Sequence, residues 1–80
     1  MTISSAVVEI RNGAGEAVLN SLASIEKVSV YGIKDNQIVM VIEDRDMPGI
    51  QDTIKKIYGI DSVVGVYPVY AGYHDEQTAG

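Results

Sequence analysis

The one imidazole in the chain is His74, and the residues around it with metal-binding or acid–base chemistry are Tyr73, Asp75 and Glu76. A general base needs a fixed position, and a metal site needs several ligands converging on one point. A single histidine in a polar C-terminal stretch meets neither condition, so a solvated side chain outweighs a weak metal site. The chain has no cysteine, which removes thiol nucleophiles, thiolate metal ligands and disulfides, and suits a reducing compartment. The serines have no histidine partner on an ordered element, so no serine triad can be assembled. Gly13-Ala14-Gly15 precedes a helix-like stretch as a phosphate loop would. It lacks the Lys-Ser/Thr ending and the full glycine spacing, and a strand–turn–helix entry accounts for it better. Glu9 and Glu43 are the remaining carboxylates to weigh as an acid–base pair, but no pocket is implied around them. The expectation is a protein without a catalytic site, metal or cofactor: not an enzyme.

The elements that would position any site occur twice. A β-like run, Ala6-Val7-Val8-Glu9-Ile10, leads into a helix-like stretch from Ala14 to Ile25 and a second β-like run from Lys27 to Ile33. The order then recurs as Ile38 to Glu43, Met47 to Tyr58 and Val63 to Tyr70. Ile25-Glu26-Lys27-Val28-Ser29-Val30-Tyr31 is echoed by Ile60-Asp61-Ser62-Val63-Val64-Gly65-Val66-Tyr67 with one residue inserted. Two βαβ halves in 80 residues predict an α+β, ferredoxin-like split βαβ sandwich. Its four-stranded antiparallel sheet would have the order 4-1-3-2, both helices on one face and right-handed crossovers.

Alternation sorts the strand residues. Ala6, Val8, Ile10, Val28, Val30, Ile38, Met40 and Ile42 should face the helices. In the first helix, Ala14, Val18, Leu22 and Ile25 form an apolar stripe with Ala17 and Ser21 alongside. Asp46 before Met47-Pro48 predicts an N-cap. Met47, Ile50, Ile54 and Ile57 mark the buried side of the second helix, and Gly59 suggests a left-handed C-cap. Gly32 to Asn36 reads as the turn of a hairpin. Pro68, lacking a ladder donor, places the last strand at an edge. Residues 1–72 form the predicted domain and 73–80 a flexible acidic tail.

On the helix-free face the alternation leaves Val7, Val39, Val41 and Val69 beside Tyr31 and Tyr67, with Glu9 and Glu43 at strand ends. A contiguous apolar patch of this kind marks a binding surface, and tyrosine gives it area and a hydroxyl at small entropic cost. Two uses remain open: a peptide or protein partner, and weak self-association. The phase of the last strand is also open, because of the inserted residue.

Composition narrows the classes. A hydrophobic content of 46% is ordinary for one small globular domain. Eleven acidic against six basic residues give a net charge of −5, the wrong sign for a nucleic-acid binder. An acidic surface is compatible with a Lys- or Arg-bearing partner. Met1-Thr2-Ile3-Ser4-Ser5 has no basic or long apolar leader and no run is long enough for a membrane helix, so a cytoplasmic protein with no membrane insertion is expected.

Several blocks are similar to one family. Ile3-Ser4-Ser5-Ala6-Val7-Val8 resembles the opening of the NapD family, cytoplasmic chaperones for the periplasmic nitrate reductase. Val39-Met40-Val41-Ile42-Glu43 resembles its third strand, which commonly ends in glutamate. Val63 to Ala71 resembles its closing block, with Val69-Tyr70 and then Asp75-Glu76 as the acidic tail. In many relatives a histidine follows that tyrosine directly, whereas here Ala71-Gly72 intervenes. The resemblance covers residues 3 to 76. It implies a ferredoxin-like chaperone that binds the twin-arginine signal peptide of the nitrate reductase catalytic subunit and delays export until its cofactor is inserted. The peptide-binding residues would then be Val7, Glu9, Tyr31, Val39, Val41, Glu43, Tyr67 and Val69. The rival from another class is an ACT-like small-molecule regulatory module, favoured only by the Asn12-Gly13-Ala14-Gly15 turn. An acylphosphatase-like enzyme would need an arginine in a phosphate-cradling loop, and Arg11 lies at a strand end instead.

Overall fold

Alternation in the strands decides the architecture, because each strand must turn its apolar side toward the helices. The computed structural model describes residues 1–73, with side chains through residue 69. The elements are β1 (Thr2–Ile10), α1 (Gly15–Ala23), β2 (Val28–Lys34), β3 (Gln37–Asp44), α2 (Met47–Tyr58) and β4 (Val63–Tyr73). The strands form one sheet in the order β2-β3-β1-β4, with each neighbouring pair antiparallel. This is the expected 4-1-3-2 order read from the opposite edge. The expected tail, His74 included, lies outside the described residues except for Tyr73, which ends β4.

One core joins both halves. Ala6, Val8 and Ile10 of β1 and Ile38, Met40 and Ile42 of β3 are buried against Val18 and Leu22 of α1 and Ile50 and Ile57 of α2. Both helices therefore cover the same sheet face. α2 spans the expected residues because its start is chemically fixed. The Gly49 N–H donates to Asp46 Oδ1 at 2.9 Å, and Pro48 occupies the first turn, where no donor is needed.

Several expectations need correction. α1 is shorter than Ala14 to Ile25, and Leu19 rather than the exposed Ala17 packs beside its stripe. At about 100° per residue, Leu19 lies closer than Ala17 to the axis through Val18 and Leu22. In α2, Met47 is 42% exposed and Thr53 is buried instead. Thr53 and Ile54 flank the Ile50–Ile57 axis more closely than Met47 does. Gly59 is not left-handed: its φ is −81°, and its N–H donates to the Lys55 and Lys56 carbonyls. The chain keeps winding, with Ile60 N–H to Ile57 O at 3.0 Å and Val63 N–H to Ile60 O at 3.2 Å. The left-handed residue is Ser62, at φ 75°. Gly32 lies within β2, and the hairpin turns at Asp35 (φ 56°) and Asn36.

Three irregularities interrupt the ladders. Tyr31 is an extra residue in β2 opposite β3, and Val64 and Val69 are extra residues in β4 opposite β1. The residue inserted in the second copy of the sequence echo is therefore absorbed as a β-bulge at Val64. β4 runs to Tyr73, three residues past its expected end.

Candidate functional site

The sheet face away from the helices is a grid whose rungs follow from the ladder pairs. One rung carries Gly32, Val39, Val7 and Tyr67 in order across β2, β3, β1 and β4, with the extra residue Tyr31 beside Gly32. The adjoining rung holds Ser29, Val41 and Ser5, then Tyr70 by backbone register. Beyond it, Glu43 stands opposite Ile3. At the other end, Lys34, Gln37, Glu9 and Gly65 share a rung.

These positions bring most of the sequence-predicted residues onto one surface. Tyr31 is 74% exposed, Tyr67 54% and Val39 46%, while Val7 and Val41 are half-buried between their neighbours. Apolar side chains of this size standing in water form the contiguous patch that the alternation implied. Val69 is exposed, but as a bulge residue it has no partner on β1 to set its face. The phase of β4 is otherwise set: Val66 faces the core opposite Val8, and Tyr67 faces outward opposite Val7.

Glu9 and Glu43 lie at opposite ends of the face. Ile3 marks the Glu43 rung on β1, so the two carboxylates are about 20 Å apart at roughly 3.4 Å per residue. They cannot share a proton or flank one reacting bond. Among the described residues no group of three or more His, Cys, Asp or Glu could hold a metal ion.

Sequence reasoning missed Gly65. A Cβ placed there would fall 2.5–2.9 Å from atoms of the Tyr67 phenol, so the Tyr67 ring lies over Gly65, toward the Glu9 rung. Only a residue without a side chain lets the ring rest on the backbone. The signal was a glycine two residues before an outward tyrosine, which carries meaning only once both are known to share a face.

On the core side of the sheet the strand ends are tied by charge. Lys27 Nζ donates to Asp44 Oδ2 at 2.8 Å, and the Arg45 N–H donates to Asp44 Oδ1 at 2.6 Å. Asp44 is 8% exposed and lies against Gly49, whose missing side chain leaves room for the carboxylate. The Lys27 hydrogen bond, aided by the Arg45 N–H, holds the Asp44 carboxyl below its usual range, while desolvation acts the other way. A lowered folded-state pKa stabilises above the ordinary aspartate value of about 3.9 and loses that effect as pH falls through the folded value. Asp44→Asn should therefore be less stable than the parent at neutral pH, with the gap closing below about pH 3.9. Urea unfolding of both proteins across that range checks it, and a constant gap down to about pH 2 would remove the ion pair as its cause.

The family model for NapD (NapD protein) matches residues 1–76, all but the last four positions. The chain belongs to the NapD family. As a NapD protein it is a chaperone, and the ACT-like alternative gains no support. The solution structure of the E. coli Tat proofreading chaperone protein NapD superposes with a TM-score of 0.80 at 22% identity, covering 94% of this chain and 80% of that one. At that identity the likeness speaks for the NapD fold, a ferredoxin-like sheet with two helices. No curated protein sequence gives a significant match. No helix among the described residues is long and apolar enough to cross a membrane.

Proposed function

We propose that this NapD protein binds a twin-arginine signal peptide on the helix-free face of its sheet, in the cytoplasm, and carries no catalytic activity of its own. The cargo is the catalytic subunit of the periplasmic nitrate reductase. While the peptide is held, the export machinery competes for it by mass action, so the precursor gains time for cofactor insertion and folding. The observation that carries this is the rung of Val39, half-buried Val7 and Tyr67, with the exposed bulge residue Tyr31 beside it, between Glu43 and Glu9 toward the two ends of the face. An export signal has the matching chemistry, a cationic segment followed by an apolar one. Burial of apolar peptide side chains against the valines and tyrosines supplies most of the affinity. The carboxylates supply orientation and on-rate, since rim charges act mainly there.

Calorimetry with a synthetic twin-arginine signal peptide tests it, beside a variant with both arginines changed to lysine. Binding at tens of micromolar or tighter is expected. The lysine variant should be weaker by several-fold, because an ammonium cannot make the two parallel hydrogen bonds of a guanidinium to a carboxylate. Absence of binding by the arginine peptide in that range overturns the proposal.

A further inference from the structure

Gly65 is the one buried position among the described outward residues of the sheet. It pairs with Glu9 on the edge strand β4, where an outward residue would ordinarily stand in water. Tyr67 is what covers it. The three atoms nearest to a Cβ built at Gly65 are the phenol oxygen, Cζ and Cε2 of that ring, at 2.5, 2.8 and 2.9 Å. Non-bonded carbons pack at about 3.5–4.0 Å, so a methyl group and the ring cannot share this space. The backbone does not itself call for glycine here. Gly13 is the glycine with positive φ among the described residues, and Gly65 lies outside that left-handed region. Contact with the ring is therefore what the missing side chain serves.

The other outward tyrosine has no such seat. Gly32 ends the Val39–Val7–Tyr67 rung at the opposite edge, and nothing lies within 4 Å of a Cβ built there. Tyr31 beside it is 74% exposed, against 54% for Tyr67. The valines thus lie between one free ring and one held down along its own strand, toward the Glu9 rung and away from the Ser5–Val41 rung.

We propose that Gly65 is a positioning residue of the peptide site: it seats the Tyr67 ring away from Val7 and Val39, leaving them open to the apolar part of the bound signal peptide. This deepens the signal-peptide reading above and rests on it. Strand side chains lean along the strand and occupy few staggered wells. A ring driven off Gly65 takes another well, which turns it toward Val7 and the Ser5–Val41 rung or releases it into solvent. In the first case it covers the floor that the peptide needs. In the second, its rotamer freedom must be lost when the peptide binds. The seated ring avoids both, because its position is set before the peptide arrives.

In the free protein, proton Overhauser contacts are expected between the Gly65 α-protons and the Tyr67 ring, and their absence overturns the proposal. Gly65→Ala should keep or raise the urea midpoint, since alanine loses less backbone entropy than glycine on folding. The same variant should bind the twin-arginine peptide about threefold or more weakly by calorimetry. In a Tyr67→Val background, where there is no ring to displace, Gly65→Ala should change affinity by less than about twofold. A loss of similar size in both backgrounds means that the added methyl group itself obstructs the peptide, and overturns the proposal. Unchanged affinity of Gly65→Ala beside the intact tyrosine does so as well. Either result leaves peptide binding to the face standing, whereas no binding by the parent protein removes both readings.

Discussion

Val39→Asp is expected to bind the twin-arginine peptide at least tenfold more weakly, a loss of about 1.4 kcal/mol or more, while remaining folded. Val39 lies at the middle of the apolar rung, between Gly32 of β2 and Val7 of β1, and nearly half of it is already in water. An aspartate there points into solvent in the free protein, so the fold loses about 1 kcal/mol or less through reduced strand propensity. In the complex the same carboxylate would be covered by the peptide's apolar stretch. Burying a charge without a partner is far more costly than losing a valine contact. Calorimetry for affinity and circular dichroism for the fold separate the two effects. Unchanged affinity in a folded Val39→Asp protein would remove this face from the binding site.

Ile42→Ala carries the largest expected loss of stability, about 2–5 kcal/mol. Ile42 is fully buried in β3, with Ser4 of β1 and Val28 of β2 beside it in the ladder. Truncation leaves a cavity that two antiparallel neighbours and a covering helix cannot easily close. An 80-residue domain is stable by only about 4–12 kcal/mol in total, so this single change removes a large share. The exposed Tyr58 on α2 supplies the comparison: Tyr58→Ala should stay within about 0.5 kcal/mol. Urea midpoints for both variants decide the matter. Equal losses would mean that the buried core does not govern stability as described.

What was legible in the sequence followed the regularity of each element. In β1 and β3 the alternation runs without a break, and the buried and outward residues are those the pattern predicts. α2 was legible to its ends because Asp46 and Pro48 fix its start by hydrogen-bond chemistry. α1 lacks a side-chain cap at Ala14, and its ends fell inside the expected stretch. Gly59 shows the limit of single-residue signals: glycine permits a left-handed cap, but the following turn continued and Ser62 took that conformation. For the candidate site, Val7, Val39 and Val41 could be placed from alternation alone, whereas the phase of Tyr67 is fixed only by its pairing with Val7. Val69 and Tyr31 could not, because a bulge is a property of two strands and neither strand states it alone. Gly65 was silent for the same reason, since its role depends on the ring that lies across it.

The bulge at Val64 has a consequence for how this protein can change. In a regular strand, adding or losing one residue turns over all the side chains beyond it. Here the extra residue is looped out between the pairs Glu9–Gly65 and Ile10–Val63, so the disturbance stops before Tyr67 is reached. The stretch leading out of α2 is thereby uncoupled in phase from the stretch that faces a partner. Length variation on the Val63 side can accumulate without reversing the outward tyrosine, and an engineer could shorten or extend that segment while keeping the recognition surface in register.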